Sequence, residues 1–99
     1  MIEFSIVVPA YNEEAVITSS LTQVISFMSS FASSFEVIVV DDGSTDKTTE
    51  VVEKFSKDHP EIVLQKNPHK GKGYTVRTGM LMASGKYVLM ADADMATPI

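Results

Sequence analysis

Two aspartates stand one residue apart directly after an apolar run, in Tyr87-Val88-Leu89-Met90-Ala91-Asp92-Ala93-Asp94. Carboxylates at that spacing repel each other unless a cation or hydrogen-bond donors offset their charge. Mg2+ uses only one or two protein carboxylates and takes its other ligands from phosphate and water, so the pair suits such an ion. A second acidic pair, Asp41-Asp42, closes another apolar run and leads into Gly43-Ser44-Thr45-Asp46. Taken alone, that pair suits turn and helix-cap duty equally well. Tyr11, in Pro9-Ala10-Tyr11-Asn12-Glu13, offers a ring for packing or for a ligand. His69, Lys70 and Lys72 lie in a polar stretch that reads either as a solvated loop or as a partner for an anion.

Charge is distributed in the same sense. Residues 1–40 carry four Glu and no Lys or Arg. Residues 41–61 carry seven acids and three Lys, and residues 62–99 carry five basic residues and two Asp. A basic segment framed by carboxylates fits an anionic ligand held with a divalent metal, and it also fits plain surface salt bridges. The net charge of −5 argues against a nucleic-acid partner. With no Cys and two His, a disulfide framework, a thiolate zinc site and a multi-His metal centre are all excluded.

The elements that must position these groups alternate. Phe4 to Val8 is a β-branched run stopped by Pro9, a buried strand. Asn12 reads as an N-cap with Glu13 and Glu14 in the first helical turn. Ile17, Leu21, Val24, Met28 and Phe31 then recur on one helical stripe. Phe35 to Val40 is a second strand, apolar on both faces as parallel sheet interiors are. A short helix with Val51, Val52 and Phe55 follows, then a third strand at Ile62 to Leu64. A third helix spans Tyr74 to Ser84 with Val76, Met80 and Ala83 on one side, Gly79 inside it and Gly85 as its C-cap. Tyr87 to Ala91 is the fourth strand. The order βαβαβαβ implies an α/β domain, an open parallel sheet with right-handed crossovers. Ligands bind such sheets at the carboxyl ends of the strands, where Tyr11, Asp41, Asp42, Asp92, Asp94 and the basic loop all fall. The N-terminus has no basic, apolar leader, and no run approaches the roughly 20 apolar residues needed to span a bilayer. The chain is expected to be cytoplasmic, with docking at the cytoplasmic membrane face left open.

Other phosphate and nucleophile patterns fail on spacing. Gly71-Lys72-Gly73 has its next glycine at Gly79, which excludes G-x-G-x-x-G, and no Gly-Lys-Ser or Gly-Lys-Thr is present. There is no G-x-S-x-G elbow beside either His. A receiver-like domain would carry its acidic pair after the first strand, not the second.

Four blocks stand in order: Val7 through Glu14, Val39 through Asp46, Asn67 through Gly79, and Ala91 through Asp94. Together they resemble the N-terminal, Rossmann-like half of inverting family 2 glycosyltransferases of the GT-A fold. Gly71 through Met80 and Asp92 through Pro98 look most like dolichyl-phosphate β-glucosyltransferases and related polyprenyl-phosphate sugar transferases. The resemblance implies a nucleotide-sugar site, with UDP-sugars favoured and glucose as the favoured hexose. Pro9, Ala10, Tyr11 and Glu13 would line the base and ribose side, and Val40 and Asp42 would lie under the base. Asp42 would accept from the pyrimidine N3–H, and Asp41 would hold the turn or the base. Lys72 would face the leaving phosphate. Asp92-Ala93-Asp94 would be the metal motif, Asp94 binding Mg2+ or Mn2+ and Asp92 facing ribose or metal waters. The catalytic base is expected beyond Ile99, so residues 1–99 read as a donor-binding half cut after that motif. A polyprenyl or dolichyl phosphate acceptor and a homodimer joined at the exposed fourth strand are the implied partners. A nucleotide-binding or interaction module of the same fold is the alternative.

Overall fold

A computed structural model describes residues 1–94. Seven elements alternate along it: β1 (Phe4–Ala10), α1 (Ile17–Ser29), β2 (Phe35–Asp42), α2 (Thr48–Ser56), β3 (Ile62–Asn67), α3 (Lys72–Met82) and β4 (Tyr87–Met90). The sheet order is β3-β2-β1-β4, and every neighbouring pair is parallel. β1 and β2 are central, and their β-branched runs are buried on both faces. Alternation sends Ile6, Val8, Val37 and Val39 to one face, where they pack with Ile17, Leu21, Val24 and Met28 of α1 and Val52 of α2. The other face receives α3. A Cβ placed on Gly79 would lie 2.3 Å from Val7 Cγ1 and 3.2 Å from Val40 Cγ2, so the glycine lets the helix backbone press on the sheet. Among the described residues no helix is long and apolar enough to cross a membrane.

Several local expectations change. β1 does not stop at Pro9 but continues to Ala10. Odd residues of β1 bond toward β4, as in the bonds from Tyr87 N to Glu3 O and Ala91 N to Val7 O. Pro9, which has no N–H, therefore faces the side where the β4 ladder has already ended at Met90. Asn12 is not the N-cap of α1. It sits in the left-handed region at φ 52°, and α1 begins only at Ile17, preceded by a turn in which Glu13 O accepts from Val16 N and Ile17 N. Glu13 and Glu14 accordingly lie outside the first helical turn.

α3 starts earlier than expected, at Lys72, and buries Thr75 and Gly79 rather than Val76, Met80 and Ala83. Gly85 is not its C-cap, a place taken by Ala83 in extended conformation. A Cβ on Gly85 would lie 2.6 Å from Ser5 N, so the glycine serves a close crossing over β1. There Gly85 N donates to Ser5 Oγ at 2.7 Å, and Ser5 Oγ donates to Glu36 Oε2 at 2.6 Å. Burial pushes the Glu36 carboxyl up, but the hydrogen bonds from Ser5 and Ser84 outweigh it and hold the group below its ordinary value.

Candidate functional site

A cleft of about 400 Å3 opens at the carboxyl ends of the strands. The end of β1 supplies Pro9, Ala10, Tyr11 and Glu13, and β2 supplies Asp42. The loop before α3 and its first turn supply His69, Gly71, Lys72 and Thr75, and the segment after β4 supplies Asp92, Ala93 and Asp94.

The loops after β1 and β2 are latched to each other. Asn12 Oδ1 accepts from Thr45 N at 2.8 Å and Asp46 N at 3.3 Å, while Asn12 N donates to Ser44 Oγ at 2.9 Å. The left-handed backbone of Asn12 turns its amide into that position, a conformation Asn tolerates better than most residues. Glu13 N donates to Thr48 Oγ1 at 2.8 Å, and Thr48 N donates to Asp46 Oδ1 at 2.9 Å. Asp46 thus anchors the start of α2 while Asn12 anchors Tyr11 and Glu13 at the cleft.

Asp41 and Asp42 part company because successive strand residues face opposite ways. Asp41 is buried and accepts from Ser44 N at 2.9 Å, which closes the turn after β2. Asp42 points to the α3 side, where Lys70 N donates to its Oδ1 at 2.7 Å and Gly71 N donates to its Oδ2 at 3.1 Å. Burial pushes the Asp42 carboxyl up, yet these backbone donors and the nearby His69 charge more than offset it, so it stays below its ordinary value. The carboxylate is therefore charged and is the acceptor that ties β2 to the start of α3.

His69 completes this corner. Its Nδ1 lies 3.0 Å from both Asp42 O and Asp42 Oδ2. Both partners are acceptors, so Nδ1 carries the proton. The imidazole stacks on Tyr11, with ring centroids 4.4 Å apart and planes 26° apart. Gly43, at φ 70°, packs under the His69 backbone, and a Cβ there would fall 2.6 Å from His69 N.

Carboxylates gather at the opposite wall. Burial raises the Glu13 carboxyl above its ordinary value, and the charges of Asp94 and Asp46 raise it further. Asp92 Oδ1 meets Lys72 Nζ at 3.0 Å, an exposed pair. Ser20 of α1 donates to Ala93 O and so pins the turn between the two aspartates. Among the described residues, no three His, Cys, Asp or Glu side chains converge on one ion position. Asp92 and Asp94 are the carboxylates that could hold a hard cation here, one that takes its remaining ligands from phosphate and water.

Residues 5–98 match a family model described as Glycosyl transferase family 2. The chain belongs to that family. It is 42% identical to a dolichyl-phosphate beta-glucosyltransferase of Trichomonas vaginalis, an alignment covering 96% of this chain and 31% of the relative. The corresponding enzyme of Saccharomyces cerevisiae is 41% identical, over 94% of this chain and 30% of its own length. The family 2 chain therefore spans about a third of the length of these curated relatives. Among solved structures, S. aureus TarS 1-349 in complex with UDP-GlcNAc superposes with a TM-score of 0.82 at 34% identity, covering 94% of this chain and 27% of that one. A Pyrobaculum calidifontis mannosyltransferase in complex with GDP-Man and Mn2+ gives a TM-score of 0.83 at 32% identity, covering 93% and 27%. These neighbours have the GT-A architecture implied by the four sequence blocks.

Within this family 2 chain, the cleft collects Pro9, Ala10, Tyr11, Glu13, Asp42, Lys72, Asp92, Ala93 and Asp94 from the residues singled out by sequence. Val40 and Asp41 lie elsewhere. Val40 is fully buried against Gly79, on the α3 face of the sheet, and Asp41 is spent on the Ser44 turn. Of the other lining residues, Gly71 and Thr75 are not singled out by the sequence, and His69 is read there only as a loop residue or an anion partner, not as a base-site residue. Their signal was present in the block Asn67 through Gly79, but a polar loop does not reveal which side chain turns inward. Residues 95–99, including the Met95 to Pro98 part of the Asp92 through Pro98 segment, lie outside the described residues.

Proposed function

We propose that this chain is the nucleotide-sugar-binding part of an inverting glycosyltransferase. The transferred group is a hexosyl unit, glucose in first place, passed from a UDP-sugar to a polyprenyl or dolichyl phosphate at the cytoplasmic face of a membrane. The observation that carries the reading is one cleft joining a ring, a charged acceptor, a lysine and a paired-carboxylate turn: Tyr11, Asp42, Lys72 and Asp92-Ala93-Asp94. Relatives named dolichyl-phosphate beta-glucosyltransferase support the acceptor and the sugar. The complex of TarS with UDP-GlcNAc supports the donor class.

In this reading Tyr11 offers its face to the base and Asp42 accepts a base N–H. Asp94, with Asp92 beside it, would hold Mg2+ or Mn2+, which when bound would supply positive charge to the donor diphosphate. Lys72, paired with Asp92, adds a second positive charge at the same wall. The acceptor oxygen bonds to the anomeric carbon from the face opposite the leaving nucleoside diphosphate, which inverts that centre. A phosphate acceptor is already anionic, which reduces the demand for a general base.

The test is calorimetric titration of the chain with UDP, GDP, UDP-glucose and GDP-mannose, with and without Mg2+ or Mn2+. UDP and UDP-glucose should bind, and more tightly with metal. Absence of binding by every nucleotide, or binding indifferent to metal, would overturn the assignment.

A further inference from the structure

The imidazole of His69 makes the two contacts assigned above to a pyrimidine. It stacks on the Tyr11 ring at 4.4 Å, and its ring N–H is aimed at the Asp42 carboxylate at 3.0 Å. The two rings are too close to admit a third between them. A base that stacks on this face of Tyr11 and donates to Asp42 must take both partners from His69. The side chain is free to leave, because it is 58% exposed, whereas the Asp42 side chain is only 6% exposed. The His69 backbone is not free, since Gly43 packs against it and the adjacent Lys70 N is bonded to Asp42. The hinge is thus the side chain alone, on a fixed loop.

We propose that His69 is a built-in stand-in for the nucleotide base, which closes the base subsite in the free protein and swings out when a uridine nucleotide enters. The proposal rests on the nucleotide-sugar reading of the cleft. It makes His69 a determinant of donor affinity. It also explains why a charged acceptor and an exposed aromatic ring can wait together at an open rim. The imidazole satisfies the first and covers the second until the ligand arrives.

Two measurements test it. In the first, UDP is titrated into the native chain and into His69→Ala. The variant should bind about three- to tenfold more tightly, the size of one aromatic stack no longer displaced. In the second, the imidazole proton resonances of the native chain are followed during UDP addition, with His59→Gln used to assign the two histidines. The His69 signals should lose the ring-current shift from Tyr11 as the site fills. If UDP binds the native chain but His69→Ala binds it equally or more weakly, the stand-in is overturned and the base subsite stands. Unmoved His69 signals at saturation overturn it in the same way. If neither form binds any nucleotide, the cleft reading falls and the stand-in falls with it.

Discussion

Asp42 serves both the start of α3 and the cleft with one carboxylate. Its oxygens hold Lys70 N and Gly71 N at the start of α3, and its remaining capacity faces the cleft. Asp42→Ala should therefore cost stability as well as uridine affinity, about 1.5–3 kcal/mol for a lost charged acceptor. Urea unfolding and metal-free uridine titration read the two losses separately. Because its folded value is held below the ordinary carboxylate value, its stabilisation is complete above the unfolded pKa and is lost as pH falls through the folded one. Acid unfolding below about pH 4 should accordingly be steeper in the native chain than in Asp42→Asn. Tyr11→Ala should weaken uridine binding without metal, whereas Asp94→Ala should remove only the metal-dependent part of UDP binding. Glu50→Ala, on the exposed side of α2, should leave both intact. Equal metal dependence in Asp94→Ala and the native chain would show that the ion binds elsewhere.

At the scale of elements, α3 is the piece that sequence patterning placed least well. Its packed face is Thr75 and Gly79, small residues chosen for proximity rather than hydrophobicity, so the apolar stripe Val76, Met80 and Ala83 pointed to the wrong side. The nearness has a cost to exploit. Gly79→Ala gains about 1 kcal/mol of helix propensity. It also drives a methyl to 2.3 Å from Val7 Cγ1, and overpacking of that kind costs about 1–3 kcal/mol. The expected balance is a net destabilisation, read as a lower urea midpoint. A variant as stable as the native chain would show that α3 can lift off the sheet without loss.

At the scale of the whole molecule, β3 and β4 are the two edges of the sheet, and β4 is the more apolar of them. β4 is short, and all four of its side chains are exposed. Leu81 of α3 is 77% exposed, and Met80 and Met82 are also open to solvent. Unpaired backbone on an apolar edge is a template for another strand. We expect the chain to self-associate through β4, as a two-fold dimer. Sedimentation velocity over a concentration series checks this. A monomer at high micromolar concentration with slow amide exchange in β4 would show that the edge protects itself.

The alternation of strands and helices, and the gathering of Tyr11, Asp42, Asp92 and Asp94 at one rim, were legible from residue order alone. Runs such as Val37 to Val40 form strands for local reasons, and in a parallel sheet every strand delivers its last residues to the same edge. What only the tertiary structure decided is which way side chains turn once they arrive. Val40 went to the core against α3, Asn12 became a latch between loops instead of a helix cap, and His69 left its polar loop for Tyr11 and Asp42. Each of these outcomes depends on a partner far away in the chain, such as Asn12 with Thr45 or His69 with Asp42. Local propensity does not encode such pairings, because they exist only after β1 and β2 lie side by side and α3 is pressed against them.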